Sequence, residues 1–188
     1  MIKRKKLFGL IFLAFASLLL AIVCPNQSVN AKIRKYDNNT VKVQKTKTYK
    51  VDVTDATWAG THVKISRVKV VKFKKFKDSI TKKTYRGFVA VKMSVNSTQR
   101  DISFNPTLGS VLTSDGQQVD ADGFDSGSWD GDLNKGDKRS GTVYFNLTKL
   151  KDPKKIKSIR LKWDADYETD NVNDNNANKT YDITVNLH

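Results

Sequence analysis

The sequence predicts an all-β protein, an antiparallel sandwich of eight or nine short strands preceded by a signal-peptide helix, and three observations carry that expectation. Residues 85–98, YRGFVAVKMSVNST, put Val89, Val91, Met93 and Val95 on one face and Phe88, Ala90, Lys92, Ser94 and Asn96 on the other. That is the period-two alternation of a strand with one face buried in a sheet packing. Similar runs recur along the chain between Gly, Asp, Asn and Pro turn signals. No amphipathic helix of useful length occurs beyond the first 31 residues. Short strands joined by turns bury their apolar faces in two packed sheets.

The chain opens with an export signal. Lys3, Arg4, Lys5 and Lys6 form a basic start, residues 7–23 an apolar run of 17, and Val29-Asn30-Ala31 a small-residue cleavage site. Cleavage after Ala31 starts the mature chain at Lys32 and leaves no stable membrane span. Two other readings stay open. The run is just long enough for a retained anchor, and Cys24 could be lipidated, although Val23 stands where a lipoprotein signal wants a small residue. Cleavage removes the one cysteine, so the mature domain has no disulfide and a full core must hold it. A cysteine-free exported chain of this size points to a bacterial envelope. The sequons at Asn38, Asn96, Asn146 and Asn178 carry no weight there.

Residues 32–48 are polar and lysine-rich and read as a basic linker or arm that can extend into a first strand; residues 49–188 are the sandwich. Tyr49, Val51 and Val53 alternate with polar residues, and Trp58-Ala59-Gly60 is the turn that follows. In residues 61–76, Val63 and Ile65 share one phase, Val68 and Val70 the other, and Val71 and Phe73 return to the first. A flat strand would expose half of these, so bulges or strong twist are expected near Ser66-Arg67 and near Val70-Val71. Residues 100–104 and 108–113 are short strands broken at Asn105-Pro106, and Asp115-Gly116 is a turn. Residues 117–139 read as a weak strand and a long Asp/Gly surface loop. Val143, Phe145 and Leu147 point inward in the next strand. After an Asp152-Pro153 turn, Ile159, Leu161 and Trp163 do the same. Residues 164–179, acidic and Asn-rich, are expected to be mobile. Tyr181, Ile183, Val185 and Leu187 form the last strand.

The formal net charge of +15 is unevenly spread. Residues 32–83 carry 16 Lys and Arg against 4 acids, residues 84–188 carry 14 against 15. Such asymmetry points to an anionic neighbour: a phosphate-rich wall polymer, anionic lipid headgroups or, least expected, nucleic acid. The competing reading is a solvated sheet face whose lysines keep the protein soluble and blunt an edge. Lys64, Lys69, Lys72, Lys74, Lys75, Lys77, Lys82 and Lys83, with Phe73, Phe76 and Tyr85 between them, are the candidate polyanion-binding residues. Phe73 alternatively belongs to the core.

The succession GFVAVKMSVNST, DISFNPTLGSVLTSDGQQV, LNKGDKRSGTVYFNL and SIRLKW resembles the telokin-like, immunoglobulin-like domains of unknown function found in exported proteins and lipoproteins of Gram-positive bacteria. The resemblance covers roughly residues 63–163 and is most specific from Gly136 to Phe145, G-x-x-x-x-G-x-V-x-F. Asn96, Asp115, Gly116, Gly136, Gly141 and Phe145 stand at matching places. It implies an immunoglobulin-like antiparallel β-sandwich outside the membrane and leaves function open. Gly116 and Gly136 suit backbone with positive φ, and Asn96 can bond its own turn. The basic first third and the last strand depart from the pattern.

Asp115, Asp120, Asp122, Asp125, Asp130, Asp132 and Asp137 offer the hard oxygens calcium takes. Lys135, however, stands where an EF-hand loop needs glycine and Gly141 where it needs glutamate. Aspartates capping backbone amides in a turn-rich loop are the expectation, so no metal and no cofactor is assigned. His62 and His188 lie far apart, no G-x-S-x-G or H-E-x-x-H occurs, and no catalytic residue is assigned. Trp163 continues the inward phase of its strand. Trp129, in Gly127-Ser128-Trp129-Asp130-Gly131, is a candidate contact with a sugar or protein, or folds back over a sheet edge.

The expected function is a secreted, non-catalytic envelope module that holds an anionic cell-wall polymer through its lysine-rich face. The alternative is an extracellular protein–protein module acting through an edge strand or the Trp129 loop.

Overall fold

The structure, a computed structural model, describes residues 33–36 and 39–188. The signal-peptide helix, Cys24 and the cleavage point after Ala31 lie outside the described residues. Among the described residues the chain forms β1 (Ile33–Tyr36), β2 (Asn39–Trp58), β3 (Thr61–Lys77), β4 (Thr84–Ser97), β5 (Ile102–Phe104), β6 (Ser110–Thr113) and β7 (Gln118–Asp120). A single-turn helix α1 (Gly123–Ser126) precedes β8 (Gly131–Leu133), β9 (Lys138–Leu147), β10 (Ser158–Asp166) and β11 (Asn178–Asn186). Short 3-10 turns occupy Pro106–Leu108 and Pro153–Lys155. The eleven strands of the described residues exceed the eight or nine expected because β1 lies in the basic arm and β8 in the stretch read as an Asp/Gly loop.

One sheet has the order β1-β2-β3-β4-β9. In the other, β10 is flanked along its whole length by β11 and on its opposite side by β6 and then β5, with β7 and β8 outside those. All pairings are antiparallel. The all-β antiparallel sandwich predicted from the sequence is therefore the architecture.

Val89, Val91, Met93 and Val95 of β4 are at most 2% exposed and face the core, as their phase requires. Opposite them, Trp163 stacks on Tyr181 with centroids 4.7 Å apart, and Phe104 meets both edge-on at 5.9 Å. The other face of β4 is not simply solvated. Phe88 and Ala90 are buried in a second cluster with Val41, Val71, Phe73 and Tyr85.

That cluster resolves the phase puzzle of β3. Ile65 pairs with Met93 and Arg67 with Lys92, leaving Ser66 as an extra residue. The bulge returns Val68 and Val70 to the core side already taken by Val63 and Ile65. At Val70-Val71 the register runs on unbroken, Val70 to Val89 and Val71 to Phe88, so the second expected bulge is absent there. Both faces are buried at that point: Val70 in the core, Val71 and Phe73 in the second cluster.

The basic arm does extend into strand, since β2 begins at Asn39 and pairs with β3 from Val43. Two further expectations change. Asn96 stays in the ladder opposite Lys138, and the turn after β4 is closed by Ser97, whose Oγ donates to the Arg100 carbonyl. The segment from 164, expected to be mobile, begins as strand, with Ala165 and Tyr167 buried. Its loop is tied at several points. Trp58 Nε1 donates to the Asn176 carbonyl at 2.7 Å, Tyr167 Oη to Asp174 Oδ2 at 2.9 Å and Tyr167 N to the Ala177 carbonyl at 3.0 Å. A low apolar content hid these anchors: Trp58 reaches in from β2, and Tyr167 is the segment's own aromatic.

Candidate polyanion-binding surface

The segment 149–157, KLKDPKKIK, alternates two kinds of residue at a spacing of three. Leu150, Pro153 and Ile156 are buried, while Lys149, Lys151, Lys154, Lys155 and Lys157 are exposed. At its centre a 3-10 turn, Pro153–Lys155, keeps Pro153 buried and leaves Lys154 and Lys155 exposed. Pro153 presets its backbone, and Asp152 caps it by accepting from Lys154 N at 3.0 Å. The lysines thus stand on a pinned connection rather than on a loose tail.

Contacts with both sheets hold the connection in place. Lys45 Nζ lies 2.7 Å from Asp152 Oδ2, and Lys72 Nζ donates to the Lys151 carbonyl at 2.9 Å. Tyr49 Oη donates to the Pro153 carbonyl at 3.5 Å. Gln117 Nε2 donates to the Lys149 carbonyl at 2.7 Å, and Lys157 N to Ser114 Oγ at 2.8 Å. Lys47 Nζ sits 5.3 Å from the Tyr49 ring centroid. The hydrogen bond from Lys45, then that from Lys154 N, hold the Asp152 carboxyl below its ordinary range. Burial, and then the Asp152 charge, push the Tyr49 hydroxyl above its own.

Of the lysines singled out in the sequence, Lys72 joins this surface. Lys74, Lys75, Lys77, Lys82 and Lys83 are exposed on the same hairpin beyond it. Buried Asp78 organises that hairpin end by accepting from Ile80 N, Thr81 N and Thr81 Oγ1. Lys64 stands apart, eight residues and roughly 26 Å back along β3, paired to Asp52 at 2.7 Å. Lys69 lies between them on the strand, half-buried. The aromatics do not interleave with ammonium groups on a surface. Phe73 packs on Phe76 with centroids 5.5 Å apart and Phe76 on Tyr85 at 6.0 Å; Phe73 is 1% exposed and Tyr85 8%.

The sequence reading missed Lys45, Lys47 and the five lysines of the connection. A charge count over residues 84–188 averages those five against aspartates that lie elsewhere. The available signal was the three-residue spacing of Leu150, Pro153 and Ile156 among lysines.

The aspartate-rich loop distributes its carboxylates among separate local partners. Asp115 accepts from Thr113 Oγ1, Asp122 from Asp125 N and Asn146 Nδ2, Asp130 from Thr107 N and Oγ1, and Asp137 from Asn134 N. Among the described residues no three His, Cys, Asp or Glu side chains gather as a metal site. Gly116 and Gly136 take φ of +84° and +92°. Trp129 folds back: it is half-buried, meets Phe104 edge-on at 6.4 Å and lies over Gly141, where a Cβ would fall inside the indole. Phe124 and Leu108, 91% and 82% exposed, stand on two turns packed against each other.

No protein-family model and no curated protein matches the chain. Solved structures similar to it include a functionally unknown protein from Listeria monocytogenes EGD-e, 11% identical over 76% of this chain and 86% of that one, with a TM-score of 0.48. A conserved hypothetical protein from Bacillus anthracis is 13% identical over 63% and 91%, with a TM-score of 0.42. The secreted protein MPT63 from Mycobacterium tuberculosis is 13% identical over 59% and 83%, with a TM-score of 0.34. Among the described residues no helix is long and apolar enough to cross a membrane.

Proposed function

We propose that this chain is a secreted, non-catalytic module of the bacterial cell envelope, an immunoglobulin-like domain of the kind Gram-positive bacteria export, which associates with an anionic surface polymer through one lysine-rich end. The observation that carries the reading is the pinned connection 149–157, which presents its lysines beside Lys45, Lys47 and Lys72. Attraction would be long-ranged, and affinity would come from counterions released as ammonium groups neutralise phosphates. The test is retention of the exported protein on purified wall material. A polyanion binder making six to ten contacts loses about 10³ to 10⁵ in affinity between about 50 mM and about 200 mM salt. Retention is expected at the lower salt only, and only on material that keeps its anionic polymer. Retention equal at both salts would contradict the reading.

The second reading, a protein–protein module, is favoured by one observation, the exposed pair Phe124 and Leu108 on the turns beside Trp129. Phe124→Ala would then abolish capture of a partner that lysine substitutions leave intact.

A further inference from the structure

We propose that the basic end takes a linear phosphate polymer without stacking bases, laid across β2, β3 and the connection 149–157, and that one of its phosphates displaces the Asp152 carboxylate from Lys45. This rests on the reading of that end as a polyanion surface. The ammonium groups belong to three separate chain segments, at Lys45 and Lys47, at Lys72, and at Lys151, Lys154 and Lys155. One small anion reaches only a few of them, whereas a chain of phosphates follows them all and releases a counterion at each.

The aromatic side chains separate a phosphate polymer from nucleic acid. Single strands are held by aromatic faces on which bases stack. Here Tyr49, Phe73 and Tyr85 are 5%, 1% and 8% exposed, and Phe76 is packed between Phe73 and Tyr85. The surface offers charge, and its described aromatics are buried or, for Phe76, half-buried between two rings.

Asp152 stands among five lysines of its own segment with both carboxylate oxygens engaged, Oδ2 by Lys45 Nζ at 2.7 Å and Oδ1 by Lys154 N at 3.0 Å. Its side chain is 30% exposed and that of Lys45 59%, so a ligand phosphate can reach the pair. The exchange moves one ion pair: Lys45 passes from carboxylate to phosphate, and Asp152 keeps its bond to the turn. The carboxylate is thus an internal competitor that the polymer must replace.

The experiment measures binding of long-chain inorganic polyphosphate to the exported protein and to Asp152→Asn, which keeps an oxygen for Lys154 N and loses the charge. Binding should tighten about two- to fivefold, the worth of an exposed ion pair. Asp152→Ser, which also retains a capping oxygen, should tighten it similarly, and adding Lys45→Ala should cancel the gain. Unchanged or weaker binding by both Asp152 variants, with the wild type still salt-sensitive, overturns the competitor role alone. A wild type that does not bind polyphosphate at low salt overturns the polyanion reading and this assignment together. Single-stranded DNA of equal phosphate number should bind no tighter than polyphosphate; DNA bound about tenfold tighter would assign the surface to nucleic acid instead.

Discussion

Asp182 receives Arg160 through Nε and Nη2, both at 2.5 Å, and Lys162 Nζ at 3.2 Å. The Arg160 hydrogen bonds, with Lys162 assisting against partial burial, hold its carboxyl down at about 2. A carboxyl whose folded pKa is depressed stabilises the fold above its unfolded value, near about 3.9, and loses that contribution as pH falls through the folded value. Asp182→Asn should therefore melt below the wild type at pH 6, and the gap should close by about pH 2 when the two are followed by circular dichroism. Gly141 makes a different demand. Because the Trp129 ring occupies the place of its side chain, Gly141→Val should cost about 1–3 kcal/mol by overpacking. It should also red-shift tryptophan emission as the indole is lifted into water. In the sequence Gly141 stood out through a resemblance and as a departure from an EF-hand loop; the steric reason needed the fold to lay Trp129 over it.

At the scale of elements, β3 explains how far patterning can be read. Its bulge at Ser66 was legible because a phase change between Ile65 and Val68 has to be absorbed if Val63, Ile65, Val68 and Val70 are all to stay inside. The apparent second slip, at Val70-Val71, was misread because alternation assumes that one face meets water, and there both faces are covered. The same assumption made Phe73 and Tyr85 look available on a basic-aromatic surface. Phe73→Ala should destabilise the protein by about 3–5 kcal/mol in urea unfolding, as deletion of a buried aromatic does, whereas Lys74→Ala should stay within about 0.5 kcal/mol. The core strands β9, β10 and β11 were legible for the opposite reason, since one inner face apiece carries their buried apolar residues. The connection 149–157 escaped notice because its apolar spacing is three, neither a strand's two nor a helix's 3.6.

For the molecule as a whole, the charge asymmetry of the sequence becomes a spatial one through folding. Lysines of β2, β3 and the connection meet at one end of the sandwich, although the first two lie in residues 32–83, with 16 Lys and Arg against 4 acids, and the last in residues 84–188, with 14 against 15. A cluster of cations at one end would orient the domain on a polyanion and make its affinity a function of salt. The slope of log affinity against log salt on the anionic wall polymer, compared between the wild type and the double variant K154A/K155A, tests this most directly. Each lost phosphate contact should flatten the slope by about 0.7–0.9, so the double variant should lose about 1.4–1.8, while Lys64→Ala changes it little. A double variant that binds with the wild-type slope and affinity would contradict the account.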